Sequence, residues 1–360
     1  MSILNRIRWA LPNTILSSKG MISSSIRGLF SGQDLGITSY EQAREAVGHA
    51  IANPEKFKDK LKTTLDEPTL IGLEFSLKNL LHIMENDEKD FMILKATLKT
   101  LIDKQADFHG EKYHFDAIIM RAFHYLNMPN EAIELFEDKL LGQLFTNITG
   151  YQILLDMLYE NEKYDDVLRI HASRKMNVLY QKKHINAIIL ATYYRLNTPE
   201  AFKESYAMYT KLSHKHEFRK SRTFVAGLAV RQHQPKIALN IVENDESKPT
   251  FVTIRHIKLL AWAQLGQFEK ITEILWRVIG DHEKNPKFKP TTSIEVLNEI
   301  ERLLQLKGSQ KDTDDFRDVR NEIQRLNLET NETLDDILCA PFPATREEKI
   351  SHRRIVNQFK

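Results

Sequence analysis

The sequence predicts an all-α protein, a right-handed α-solenoid of stacked helix-turn-helix repeats. Three observations predict it: similar segments recur about every 35 residues, apolar residues inside each segment follow helical spacing, and strand signals are nearly missing. The 360-residue chain is 42% hydrophobic and 28% charged, which is typical of a folded globular protein. A single pair of helices cannot hide its apolar stripe, so neighbouring pairs are expected to stack.

The repeat is clearest between two segments that begin at positions 114 and 184, 70 residues apart. His114 opens the segment HFDAIIM and His184 opens HINAIIL, and each is followed by a Leu-Asn pair and a proline at the same offset. A related segment, beginning at Tyr151, lies roughly halfway, so the period is about 35 residues. We expect second helices to begin near Ala132, Asp166, Ala201, Ala238 and Lys270, which are 34, 35, 37 and 32 residues apart.

The formal net charge of +2 hides a strongly uneven distribution. Residues 130–166 contain nine acids and two lysines, whereas residues 171–222 contain eleven lysines or arginines and three acids, a formal charge of +8. The only cysteine is Cys339, which excludes a disulfide framework and a cysteine-based metal site. Phosphate-binding glycine loops and paired-histidine metal motifs are missing as well. The sequence therefore predicts no catalytic residue, no cofactor, no metal and no membrane-spanning segment.

The first 33 residues have the composition of a mitochondrial transit peptide. They contain no acid, seven serines and four basic residues, Arg6, Arg8, Lys19 and Arg27, spaced among apolar positions. Import into the mitochondrial matrix is the predicted consequence, and a merely basic, disordered start is the alternative.

Four segments are predicted along the chain. Residues 1–33 are the transit peptide, 34–71 an amino-terminal helical cap or linker, 72–328 the repeat array, and 329–360 an amphipathic element followed by a basic tail. Within the last segment, residues 334–339 are expected to form a short helix that packs on the last repeat.

The segment TGYQILLDMLYENEKYDDVL, residues 149–168, resembles the first helix, turn and second helix of a pentatricopeptide repeat. Residues 194–203 and 334–341 share this resemblance, which extends over about residues 55–355. A tetratricopeptide array is disfavoured, because the three tryptophans do not recur at the period. The resemblance implies a non-enzymatic role in maturing mitochondrial transcripts, on which respiratory-chain function depends.

A solenoid of this kind can hold single-stranded RNA through the first helix of each repeat. Polar residues near the helix starts are the candidates for base contacts: Asp116, Gln152, Asn186 and Arg255. The family usually has Asn, Ser or Thr at its base-reading position and only Asn186 conforms, so backbone binding is favoured over base reading. Basic residues of the middle region are the candidates for phosphate contacts: Lys175, Lys182, Lys183, Lys215, Arg219, Lys220 and Arg222.

The sequence thus predicts a non-enzymatic protein that binds mitochondrial RNA and presents it to RNA-processing enzymes or the mitochondrial ribosome. The alternative is a structural component or assembly factor of the mitochondrial ribosome or another matrix complex, acting through protein–protein contacts. In that case the basic region would dock an acidic protein or simply face solvent.

Overall fold

The computed structural model describes residues 28–65, 69–106, 113–173, 183–212, 219–243 and 251–342. Within these ranges the chain forms seventeen α-helices, one 3₁₀ helix and a pair of two-residue strands, which confirms the predicted all-α repeat solenoid. The helices are α1 Ile37–Ala50, α2 Pro54–Thr64, α3 Leu70–Ile83, α4 Glu88–Ala106, α5 Asp116–Leu126, α6 Pro129–Glu137, α7 Ile148–Glu160, α8 Tyr164–Ser173, α9 Lys183–Leu196, α10 Pro199–Lys211, α11 Arg219–Arg231, α12 Pro235–Glu243, α13 Val252–Leu265, α14 Phe268–Lys284, α15 Ile294–Lys307, α16 Gln310–Arg325 and α17 Leu334–Cys339. The 3₁₀ helix is Leu141–Leu144, and the strands are β1 Thr292–Ser293 and β2 Glu329–Thr330, paired in parallel.

A left-handed residue in the turn between the two helices marks each central repeat. Positive φ angles occur at Asn127, Glu162, Asn197, His233 and Gly266, so successive turns are 35, 35, 36 and 33 residues apart. Asparagine and glycine adopt this conformation at low cost, which explains their presence at three of the five turns. The turn residues give a register in which any two repeats can be compared position by position.

The second helices begin two residues after each turn residue, at Pro129, Tyr164, Pro199, Pro235 and Phe268. Proline suits three of these starts, because the first helical N–H group has no partner within the helix. The predicted starts therefore fall two or three residues late. The αL turn and the proline together end one helix and begin the next.

The first helices form the interior of the molecule. In α7 each residue from Gly150 to Tyr159 is buried except Gln152, and in α13 the run Ile254–Ile257 is buried on all sides. A solenoid normally leaves one side of its first helices open to solvent. Burial on every side means that something else packs on that inner face.

Two terminal segments of the same chain pack there. We call residues 28–36 the amino-terminal cover and residues 334–342 the carboxy-terminal cover. Leu29 and Leu338 are both 0% exposed. The covers join each other, because Phe342 N–H donates to Leu29 O at 2.8 Å and the rings of Phe30 and Phe342 stack at 4.8 Å. The inner face is therefore closed by the protein itself.

The helix predicted at residues 334–339 is present as α17, but it packs against α11 and α13. Its Leu334 N–H also donates to Glu295 at the start of α15. The strand pair explains this position: Thr292 N–H donates to Leu328 O, so the chain leaves α16 beside the start of α15 and returns across the inner face. The carboxy-terminal cover thus lies further back in the array than expected.

Candidate nucleic-acid interface

Three of the four predicted base-contact residues are buried. Asp116, Asn186 and Arg255 are 1%, 3% and 4% exposed. Asp116 accepts hydrogen bonds from Ala117 N–H and Asn147 N–H, both at 2.7 Å, so its carboxylate caps and joins two repeats. These side chains have no surface on which a base could lie in this conformation.

The turn register also revises the fourth candidate. Eleven residues before the turns stand Asp116, Tyr151, Asn186, Arg222 and Arg255. The position equivalent to Asp116 in the second of these repeats is therefore Tyr151, and Gln152 lies one residue beyond it. Tyr151 is 1% exposed and Gln152 is half-buried.

Burial of Arg255 has an electrostatic consequence. Its guanidinium donates to Thr291 O, while burial lowers the pKa of Arg255 to about 10 and Asp281 only partly opposes the shift. The neighbouring His256 is also buried, and its Nε2 accepts a hydrogen bond from Ser293 N–H at 3.2 Å. Both side chains fix the β1 segment to α13, which is a structural role.

The predicted phosphate contacts divide into three groups. Lys175, Lys182 and Lys215 lie outside the described residues. Lys183 and Arg219 are exposed, and each is the first residue of a first helix. The remaining two, Lys220 and Arg222, are half-buried within α11.

Lys220 lies beneath the carboxy-terminal cover. Its Nζ is 5.0 Å from the centre of the Phe342 ring and has no hydrogen-bond partner within the described part of the chain. Burial lowers the pKa of Lys220 to about 8, with Arg219 adding to the decrease. The ammonium is therefore shielded from a ligand outside as long as the cover stays in place.

Lys183 and Arg219 stand at equivalent positions of consecutive repeats, since each precedes its turn residue, Asn197 or His233, by fourteen residues. Helices α9 and α11 pack against each other, so the two cations lie along the same edge of the array. The Arg219 guanidinium also lies over the Phe251 ring at 3.3 Å. We call this surface, consisting of Lys183, Arg219 and Arg222, the basic edge.

The first turns of α9 and α11, as the structure describes them, contain basic residues and no acid; the first turns of α7, α12 and α13 contain no acid either. The positive end of a helix dipole favours anions, so a basic residue in the first turn opposes helix stability. The same arrangement attracts an anion strongly, because backbone N–H groups and side-chain cations point in one direction. The basic edge thus places basic side chains of two consecutive repeats along one side of the array.

Comparison with known proteins finds relatives over most of the chain. Pentatricopeptide repeat-containing protein 2, mitochondrial, of Mus musculus is 25% identical over 316 residues, covering 87% of this chain and 82% of its own length. The Homo sapiens protein of the same name is 23% identical over 335 residues, with 92% and 84% coverage, and the Danio rerio protein is 21% identical over 315 residues. This chain is a homologue of these proteins. No protein-family model matches the chain, and no solved structure does either.

The relatives confirm the resemblance that was found over about residues 55–355, and their alignments cover at least 87% of the chain in the three comparisons above. They are named for pentatricopeptide repeats and for the mitochondrion, in agreement with the helical array observed here. Among the described residues, none of the helices combines the length and apolar character needed to cross a bilayer.

One constellation was not predicted from the sequence, which indicated no metal site. His124, on α5, lies beside Asp156 and Glu160, on α7, with one ligand atom from each within 4.8 Å of the others. The i, i+4 spacing of the two acids was a visible signal. Their proximity to His124 depends on the stacking of two repeats, which spacing within one helix does not reveal.

Proposed function

We propose that this protein is a non-enzymatic RNA-binding protein of the mitochondrial matrix that takes part in RNA maturation and so supports respiratory-chain function. The names of the relatives support the mitochondrial location, and the acid-free, serine-rich composition of residues 1–27 agrees with it. A transit peptide that is removed on import would have to end before Gly28, because residues 28–33 belong to the amino-terminal cover. Single-stranded RNA is the proposed partner, presented to processing enzymes or the mitochondrial ribosome.

The basic edge is the observation on which this proposal rests. Lys183 and Arg219 repeat at the same register on adjoining helices, and both side chains are exposed. A polyanion with regularly spaced phosphates fits such a row better than a compact anion does. Electrostatic contacts of this kind provide affinity with little sequence preference.

The mode of binding follows from the covers. Asp116, Asn186 and Arg255 are buried, so base reading by these side chains would require the covers or the repeats to move. The proposal is therefore limited to contacts with the RNA backbone along the edge. Phe251, under Arg219, is half-buried and offers an aromatic surface beside the phosphates.

The test is a charge reversal at the basic edge, Lys183→Glu with Arg219→Glu, measured by fluorescence anisotropy with a fluorescent single-stranded RNA. Removing one cation that neutralises a phosphate should reduce the slope of log affinity against log salt by about 0.7, so the double variant should flatten it by about 1.4. Affinity at low salt should fall at least about tenfold.

The matched control is Lys203→Glu with Lys211→Glu, which makes the same charge change on α10, where both lysines are exposed. This control should retain the wild-type slope of log affinity against log salt, because α10 is the second helix of its repeat and does not contribute to the basic edge. Equal decreases in affinity in both double variants would contradict a defined edge, and unchanged binding in the first would remove Lys183 and Arg219 from the proposal.

A second candidate function has its own observation. Ile71 and Phe75, one turn apart on α3, are 82% and 67% exposed, and Met92 on α4 is 57% exposed. Exposed apolar groups of this size are typical of a protein contact surface. If the protein acts as a component or assembly factor of a matrix complex, Ile71→Asp with Phe75→Asp should abolish its cosedimentation with that complex while RNA binding persists.

A further inference from the structure

A cluster of three potential metal ligands lies between the first helices of two consecutive repeats. Asp156 and Glu160 are one turn apart on α7, and His124 approaches them from α5. One imidazole nitrogen and two carboxylate oxygens all lie within 4.8 Å of one another. Gly28, in the amino-terminal cover, lies directly above them: a Cβ at this residue would be 2.0 Å from Glu160 Oε1 and 2.7 Å from Asp156 Oδ2.

Asp156 is the buried member of this cluster and lacks adequate partners, whereas His124 and Glu160 are half-buried. Asp156 is 0% exposed, and its Oδ1 accepts a hydrogen bond from Leu29 N–H at 3.2 Å, but its Oδ2 has no hydrogen-bond partner among the described residues. His124 Nε2 is 3.2 Å from Glu160 Oε2, yet the pair lacks hydrogen-bond geometry. A buried carboxylate oxygen with no partner is energetically expensive.

Neighbouring charges increase this imbalance. A carboxylate oxygen of Glu160 lies within 4.8 Å of one of Asp156, so two acidic groups approach each other at this point. A cation at this point would reduce the repulsion between Asp156 and Glu160. It would also bind Asp156 Oδ2, which has no hydrogen-bond partner among the described residues.

At the next two boundaries between repeats, an arginine occupies the position that Glu160 has at the first. Two residues before the turns stand Glu160, Arg195 and Arg231, at one equivalent position. Arg195 donates to the hydroxyl of Tyr159, and Arg231 lies over the ring of Tyr194 at 4.1 Å. In the register, His124 occupies the place of these two tyrosines, three residues before the turn.

Two boundaries therefore join an aromatic ring to an arginine, whereas the first joins an imidazole to a carboxylate. His124 and Glu160 are both residue types that bind metal ions, and a second carboxylate, Asp156, lies one turn before Glu160 on α7. We propose that His124, Asp156 and Glu160 bind one divalent transition-metal ion of the Zn²⁺ class.

The ligand chemistry favours this class of ion. Three protein ligands with a fourth position for water is a common arrangement for Zn²⁺. An imidazole nitrogen disfavours Mg²⁺ and Ca²⁺, which prefer all-oxygen sites. The ion would link α5 to α7 beneath the amino-terminal cover.

The experiment measures Zn²⁺ binding to the purified full chain after chelation, by equilibrium dialysis with elemental analysis, and compares wild type with Asp156→Asn and His124→Gln. We expect one tightly bound Zn²⁺ per wild-type chain and an affinity lowered at least about 100-fold in each variant. Co²⁺ in place of Zn²⁺ should give a visible absorption band that both variants lose.

The matched control is Glu162→Gln, which removes an exposed carboxylate two residues from Glu160 and should bind the ion like wild type. Asparagine at 156 keeps an acceptor for Leu29 N–H, and circular dichroism verifies that each variant is folded. Folded wild-type protein that binds no Zn²⁺ above the level of the two variants would overturn the proposal and leave a simple histidine–glutamate contact.

Discussion

The two covers close the same inner face in different ways. The carboxy-terminal cover lies on α11 and α13 and brings Asp335, which accepts a hydrogen bond from the Tyr194 hydroxyl and pairs with Arg231. Arg195 Nη1 is 3.8 Å from the same carboxylate. The amino-terminal cover lies on the acidic boundary between α5 and α7 and brings a backbone N–H group, that of Leu29, to Asp156.

A segment can therefore cover the inner face without balancing the charges that lie beneath it. The carboxy-terminal cover does both, because one carboxylate serves two arginines and a tyrosine. The amino-terminal cover buries the carboxylate of Asp156 beside the half-buried Glu160, and its described residues supply backbone dipoles but no countercharge. The charges beneath the carboxy-terminal cover balance one another without a ligand. A cation would balance the carboxylates beneath the amino-terminal cover.

The largest effect is expected from the apolar contacts that the covers share. Leu29→Ala and Leu338→Ala each remove a fully buried side chain and should lower the free energy of unfolding by about 2–5 kcal/mol. Urea denaturation followed by circular dichroism measures it. Similar decreases in both variants would mean that each cover is an integral part of the fold.

The control is Leu306→Ala, at a side chain that is 67% exposed, which should change stability by less than about 0.5 kcal/mol. A decrease confined to Leu338→Ala would contradict the equivalence of the covers. It would mean that the amino-terminal segment detaches without disturbing the array.

An effect of intermediate size is expected when Asp335 and Asp156 are each replaced by asparagine, and the two replacements should change stability differently. With a chelator present at neutral pH, Asp335→Asn should destabilise the protein by about 1–2 kcal/mol, since Arg231 and Arg195 lose a partner that is one-third exposed. Asp156→Asn should be neutral or stabilising by up to about 2 kcal/mol, because it removes a buried charge that Glu160 repels. Thermal denaturation of both variants measures the contrast.

The direction of the pKa shift at Asp156 determines how its contribution to stability depends on pH. Its folded pKa lies above the unfolded value, so the folded state holds the proton more tightly and stability falls as pH rises between the two values. Asp156→Asn should abolish that fall. Destabilisation of this variant at neutral pH in chelator would show that the ionised carboxylate has a favourable partner after all.

Periodicity in the sequence was sufficient to predict the array. Proline and asparagine near the turns recur because a helix start and a left-handed turn favour them, so local chemistry indicated the period and the order of helices. Gln152 lies one residue beyond the register position because the prediction selected polar residues near the helix starts, whereas the position itself is occupied by the aromatic Tyr151.

The covers could not be predicted from spacing, because they join residues far apart in the chain. Leu29 contacts Asp156 across 127 positions and Tyr194 contacts Asp335 across 141. A signal was nevertheless present: α7 contains Ile153, Leu154 and Leu155 in succession, and a helix that is apolar on every side is buried on every side. That signal indicates a covered face, and it does not say which segment covers it.

The smallest expected effect is a pH response in the carboxy-terminal region that runs opposite to that of Asp156. His256 is buried against β1, where burial and the neighbouring Arg255 lower its pKa to about 3, from 6.5. Its folded pKa lies below the unfolded one, so the unfolded state binds more protons between these values and stability falls on acidification. Wild type should lose about 1 kcal/mol between about pH 7 and pH 5.5 through this residue.

His256→Gln should show less of this decrease, because glutamine does not titrate and can still accept from Ser293 N–H. Denaturation in urea at a series of pH values measures it, with His282→Gln, at a partly exposed histidine on α14, as the matched control. Since acid relieves the Asp156 boundary and strains the His256 contact, the double variant Asp156→Asn, His256→Gln should have a flatter stability profile than either single variant. A double-variant profile as steep as that of either single variant would mean that these two residues do not account for the acid response.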